Sequence, residues 1–158
     1  MQDYTRLLQK VNQLSQEKLN RMFSIALSSN NITAVELAII LGADVNYDRN
    51  RAIWWAAENG YTEIVALLIE YGADVTVYKN RALRRASENG YATIVELLIQ
   101  AGADVTANNN EAIYWASTNG YTRVAQALLK AGADPNRVNN STKVAQTLFK
   151  SDTDLNQL

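Results

Sequence analysis

The sequence predicts an all-α solenoid: helix–turn–helix units stacked side by side, joined by short connectors and closed by helical caps. Three observations predict it. Asn20, Asn50, Asn80, Asn110 and Asn140 recur at equal intervals, with Asn50 and Asn80 30 positions apart. Within each interval the apolar residues fall at helical spacing. Glycine or asparagine stands where two successive helices must end. A fixed period of this length is the signature of a repeat array whose units bury their apolar faces against one another.

The unit from Asn50 shows how each element arises. Asn50 is expected to cap the first helix by accepting a hydrogen bond from a free backbone N–H. Ala52, Ile53, Ala56 and Ala57 supply its apolar face, and their small size lets neighbouring units approach closely. Gly60, after Asn59, suits the left-handed residue that ends a helix. The second helix is expected from Thr62, with Ile64, Val65, Leu67, Leu68 and Ile69 inward and Gly72 as its stop. Ala73-Asp74-Val75 and a polar connector follow. The unit from Asn20 has diverged, with Asn30 where the others have Gly60, Gly90 and Gly120. Asparagine tolerates positive φ better than most residues, so the same turn is expected there.

The predicted organisation is a capping helix over 1–19, repeats over 20–49, 50–79, 80–109 and 110–139, and a closing cap with a polar tail over 140–158. Tyr4, Leu7, Leu8, Val11 and Leu14 form one amphipathic stripe, expected to cover the first repeat. Val144, Ala145, Leu148 and Phe149 are expected to form the closing helix.

Composition narrows the function. The 158 residues carry a net charge of −1, so no global field draws the chain to duplex nucleic acid or a membrane surface. Histidine and cysteine are absent, which removes imidazole bases, thiol nucleophiles and Cys/His metal sites. Neither an enzyme nor a cofactor is expected. Asp44, Asp74, Asp104 and Asp134 are single carboxylates one repeat apart, too sparse for a calcium cage and expected to bond nearby backbone amides. No apolar run is long enough to span a bilayer and no leader pattern opens the chain. The expected location is the cytoplasm, including that of a host cell.

The pattern A-x-x-A-A-x-N-G-Y, then I-V-x-L-L-I, then G-A-D-V resembles the ankyrin repeat and covers residues 20–140. Two departures mark this version. Arg51-Ala52-Ile53-Trp54 replaces the usual Thr-Pro-Leu-His opening, and the unit is shorter than the usual ~33 residues. The shortfall lies in the connector and predicts a trimmed turn. Such short repeats are similar to those of large DNA viruses and some bacteria, and their regularity would equally fit a consensus-style design.

The resemblance implies a binding surface on the concave side, lined by the first helices. The fifth and sixth residues of each unit vary: Ser24-Ile25, Trp54-Trp55, Arg84-Arg85 and Tyr114-Trp115. Trp54, Arg84 and Tyr114 are expected in one row, and Trp55, Arg85 and Trp115 in a second. The connectors and helix starts add Tyr47, Arg51, Tyr78, Lys79 and Arg81. Six of the fifteen cations (Arg49, Arg51, Lys79, Arg81, Arg84 and Arg85) fall on this side against Asp48, Glu58, Glu88 and Glu111, while Glu36, Glu63, Glu70 and Glu96 mark the second helices. The expectation is a basic, aromatic groove. Tryptophan, tyrosine and arginine dominate binding hot spots. The leading expectation is therefore a protein partner with an acidic or aromatic segment, held by Trp54 and Tyr114 with Arg84 and Arg85 as anion clamps. A host defence protein blocked by a viral or microbial inhibitor is one form of it. The alternative is a small anionic ligand such as a nucleotide second messenger, stacked on the aromatics. A third reading makes each row an internal cation–π ladder serving stability alone.

Overall fold

The computed structural model describes residues 14–137. Eight α-helices run in order: α1 Gln16–Ser28, α2 Ile32–Ile40, α3 Tyr47–Asn59, α4 Thr62–Glu70, α5 Val77–Glu88, α6 Ala92–Gln100, α7 Ala107–Thr118 and α8 Thr122–Lys130. A 3₁₀ turn, Pro135–Arg137, follows. No strand occurs among the described residues. The chain is thus four pairs, each a longer first helix and a nine-residue second helix. Helix α1 starts before Asn20, so the expected boundary between cap and first repeat falls inside it. The amphipathic stripe of the N-terminal segment, Leu14 excepted, and the closing helix from Val144 lie outside the described residues.

Each first helix packs on its own second helix and on the next first helix. Alanine makes that stacking possible: Ala52, Ala56, Ala82, Ala86, Ala112 and Ala116 are all buried between helices. Ile53, Leu83 and Ile113 fill the space toward the second helices, which contribute Ile64, Val65 and Leu68 and their counterparts. The first repeat shows what stacking does. Met22 and Leu37 are 41% and 51% exposed, whereas Ala52 and Leu67 at the same positions of the second repeat are 2% and 9% exposed. A preceding repeat covers that face everywhere except at the N-terminal end of the described array.

The helix stops follow the expected chemistry. Gly60 adopts φ +77, and the Tyr61 N–H reaches back to the Ala56 carbonyl at 3.0 Å. Asn30 takes φ +50 in the equivalent place, as its tolerance of that region predicts. Gly60 and Gly90 also meet a second demand. A Cβ on Gly60 would lie 2.8 Å from the Tyr91 ring, and one on Gly90 would lie 2.7 Å from the Tyr121 ring. Tyr91 and Tyr121 therefore lie on the glycine of the preceding repeat, which gives these recurring tyrosines a structural role.

The connectors are not simple loops. Asp48-Arg49-Asn50, Tyr78-Lys79-Asn80 and Asn108-Asn109-Asn110 each make one left-handed turn, with φ between +51 and +60, that runs directly into the right-handed helix. Left-handed φ costs an L-residue roughly 1–2 kcal/mol, least for Asn and Asp, which accounts for asparagine closing all three turns. This is the form the trimmed connector takes.

Among the described residues the recurring asparagines are not helix caps, which corrects the expectation for Asn50. Asn80 and Asn110 close left-handed turns and Asn20 lies inside α1, yet all three side chains reach across the repeat. Asn20, Asn80 and Asn110 accept hydrogen bonds from the backbone N–H of Asp44, Asp104 and Asp134 at 2.9, 2.8 and 2.9 Å. In the second repeat Asn46 takes over, accepting from the Asp74 N–H at 3.1 Å, and the buried Asn50 Oδ1 has no partner. The aspartates then fold the next turn as expected. Asp74 accepts from both the N–H and the hydroxyl of Thr76, at 2.9 and 2.7 Å, and Asp104 does the same with Thr106. These bonds, the hydroxyl first, hold both carboxyls below the usual range.

Candidate functional site

The first-helix face carries large side chains above a core of alanine and isoleucine, and Trp54 and Trp55 pack partly against that core. Trp54, Trp55, Arg81, Arg84, Arg85 and Trp115 are half-buried, and Arg51, Lys79, Tyr47, Tyr78 and Tyr114 are exposed. Two contacts across repeats show that they share one surface. The Arg81 guanidinium lies 3.8 Å from the centroid of the Trp54 ring. Arg85, one turn further on, reaches Glu58 of the preceding repeat at 3.6 Å.

The register of those contacts differs from the expected rows. Trp54 meets Arg81, not Arg84, and Arg84 pairs with Glu111 at 2.5 Å, 27 positions on. In both pairs the fifth residue of one repeat meets the second residue of the next, one helical turn before its equivalent position. Among the described residues the ladder Trp54–Arg84–Tyr114 does not form, nor does Trp55–Arg85–Trp115. Trp55 instead packs edge-on against Tyr61 and Trp115 against Tyr114, both with ring centroids 5.3 Å apart.

The electrostatics are correspondingly tighter than a basic groove. Each of the four acids on this side takes an arginine. Asp48 faces Arg51 at 3.8 Å, Glu58 and Glu88 flank Arg85, and Glu111 holds Arg84. Arg84 also donates to the carbonyls of Tyr78 and Lys79, at 3.3 and 3.2 Å, and so fastens the left-handed turn to its helix. Burial alone would raise the Glu111 carboxyl. Hydrogen bonds from Trp115, Asn108 and Arg84, with the charge of Arg84, outweigh it and hold the group below its ordinary value. Arg84 and Arg85 thus carry carboxylate partners already, and an incoming phosphate would have to displace them. Among the described residues Arg49, Lys79 and Arg81 have no such partner, which leaves the positive charge on the connector side. The second helices carry Glu36, Glu63, Glu70 and Glu96 as expected, but α8 bears Arg123 and Lys130, and Arg123 bridges to Glu96 at 3.3 Å. Among the described residues no group of three acidic side chains gathers closely enough to hold a metal ion.

A family model for ankyrin repeats in three copies matches residues 5–79, 22–109 and 78–139. These matches span most of the chain, so the protein belongs to the ankyrin-repeat family, and the four helix pairs are its repeats. Repeats of this family are generally non-enzymatic binding scaffolds, and they mark this chain as a protein–protein interaction module. A comparison with curated proteins finds no match. Among the described residues no helix is long and apolar enough to cross a membrane.

The sequence reading missed Glu111 as an organising residue. Its signal was present: it alone replaces the arginine of Arg51 and Arg81 at the second position of a repeat, one repeat after Arg84.

Proposed function

We propose that the first-helix face is the partner-binding surface, and that it takes an acidic or aromatic segment of another protein. Trp54, with Arg81 stacked on it, and Tyr114 are the anchors. Tyr47, Tyr78 and Lys79 flank them along the connectors. The observation that carries this reading is the exposure of large aromatics beside a complete core. Tyr47, Tyr78 and Tyr114 are 42%, 48% and 46% exposed while alanine and isoleucine fill the helix interfaces beneath them. Amphipathic rings held in place by neighbours bind at low entropic cost. Arg51, Arg84, Arg85, Trp55 and Trp115 position this surface through their contacts with Asp48, Glu111, Glu58, Glu88, Tyr61 and Tyr114. The shared charge pairs argue against a nucleotide as the ligand, because its phosphates would compete with carboxylates already in place. The likeness of the short repeat to those of large DNA viruses and bacteria supports a host protein as partner and blockade as the outcome.

The test compares the full chain with two double variants in capture from host-cell extract, with circular dichroism on each. Trp54→Ala with Tyr114→Ala removes the anchors. Glu63→Ala with Glu70→Ala alters the second-helix side. Loss of a captured protein only in the first, with helical dichroism retained in both, is the expected result. Retention in the first with loss in the second overturns the reading. A rise of several degrees in melting temperature with one nucleotide, and no captured protein, overturns it in favour of the alternative ligand.

A further inference from the structure

The contacts between successive first helices follow one rule: the fifth residue of a repeat meets the second residue of the next. Trp54 meets Arg81 as a ring beneath a guanidinium, and Arg84 meets Glu111 as an ion pair. The same relation joins Ser24 to Arg51, also 27 positions apart. Serine is too short to fill it. What remains is a notch between α1 and α3. Phe23, Leu27 and Ala52, each under 6% exposed, line it from below, and Tyr47 and Trp55 line its sides. Arg51 stands at its mouth, its side chain 54% exposed and, among the described residues, tied to Asp48 alone at 3.8 Å.

We propose that this open rung is a docking notch for an aromatic side chain of a partner protein, which stacks against Arg51 as Trp54 stacks against Arg81. The proposal rests on the protein-binding reading of the first-helix face and names the side chain that face takes. Three features select an aromatic. The floor of Phe23, Leu27 and Ala52 is apolar, and the Ser24 and Ser28 hydroxyls beside it already donate to carbonyls of their own helix, which favours a ring over a polar group. Asp48 already offsets much of the charge of Arg51, so an incoming carboxylate would be opposed while a ring face would not. The chain itself supplies a tryptophan at the equivalent rung one repeat later, which shows that an arginine at this position is geometrically suited to a ring. The notch holds about 20 Å³, a little more than one water needs, so the ring rests on its mouth against Tyr47 and Arg51.

The probe is N-acetyltryptophanamide, titrated into the ¹⁵N-labelled full chain to about 10 mM, where a site of ~1 mM affinity is nearly filled. Saturable shifts are expected at the Arg51 side-chain Nε–H and the Trp55 indole N–H, with little change at the Trp115 indole. Ser24→Trp closes the rung from within, so it abolishes those shifts and raises the melting temperature. Arg51→Gln removes the cation and leaves the cavity, and weakens the probe roughly threefold, as loss of one exposed cation–π contact implies. Absence of shifts in the wild-type chain, or equal shifts in Ser24→Trp, overturns the proposal. Its failure is distinguishable from failure of the wider reading. Capture that depends on Trp54 and Tyr114 but persists in Ser24→Trp removes the notch and leaves the face. Capture indifferent to Trp54 and Tyr114, with the probe still bound at Arg51, removes the proposed anchors and leaves the notch.

Discussion

Asn50 and Asn80 occupy equivalent positions, share left-handed backbone angles and are both shielded from solvent at their side-chain oxygen, yet they should respond very differently to alanine. Asn80 accepts from the Asp104 N–H at 2.8 Å and is 5% exposed. Truncation strands that buried donor, at about 1–3 kcal/mol, and puts alanine at φ +56, which adds roughly 1 kcal/mol relative to asparagine. The sum for Asn80→Ala is about 2–4 kcal/mol. Asn50 makes no such bond, because Asn46 has taken its acceptor role. Asn50→Ala therefore costs only the backbone preference, offset by removal of an unpaired buried oxygen, for a net of about 0–1 kcal/mol. Equilibrium urea unfolding of the two variants, with unchanged m-value as the check that the unfolding unit is the same, measures the difference. Equal losses would refute the reasoning, since they would mean that Asn50 holds Asp74 just as Asn80 holds Asp104.

Two further predictions follow from contacts on the same frame. Gly90→Ala should cost about 2–4 kcal/mol, from φ +79 together with a methyl 2.7 Å from the Tyr121 ring. Gly102→Ala, at φ +92 with nothing within 4 Å, should cost only about 1 kcal/mol in the same urea assay. The carboxyls of Asp74, Asp104 and Glu111 are held below their ordinary values in the folded chain. The stability they contribute is complete above the unfolded carboxylate pKa of about 4 and is lost as pH falls through the lower folded values. Glu111→Gln should therefore lower the urea midpoint at neutral pH and converge on the wild type as pH falls through the lowered folded value; a gap unchanged by pH would show that the ionised carboxylate contributes nothing.

The repeat, its helices and its turns were legible because they depend on local chemistry that recurs. Asn30 gave away a left-handed turn through its tolerance of positive φ, and the recurring Asp44, Asp74, Asp104 and Asp134 gave away their bonds to nearby backbone amides. The long-range ties were not legible. Asn50 before an apolar helical run looks like a cap, whereas its counterparts Asn20, Asn80 and Asn110 hold amides 24 positions away, a contact that no local pattern encodes. The binding face was legible in its membership and not in its pairing. Stacking equivalent positions predicts Trp54 against Arg84, whereas the contact falls one turn earlier, at Arg81, an axial offset between neighbouring helices that a repeat alignment does not contain. The same shift turned an apparently basic groove into a set of matched pairs, with Glu111 as the partner that compositional counting left unassigned.

That one-turn shift underlies the surface, its charge pairs and the open rung at Ser24, and double-mutant cycles at Trp54 test it directly. The pair Trp54→Ala and Arg81→Ala should show a coupling energy of roughly 0.5–2 kcal/mol in urea unfolding, and the pair Trp54→Ala and Arg84→Ala a coupling near zero. Coupling to Arg84 with none to Arg81 would contradict the account.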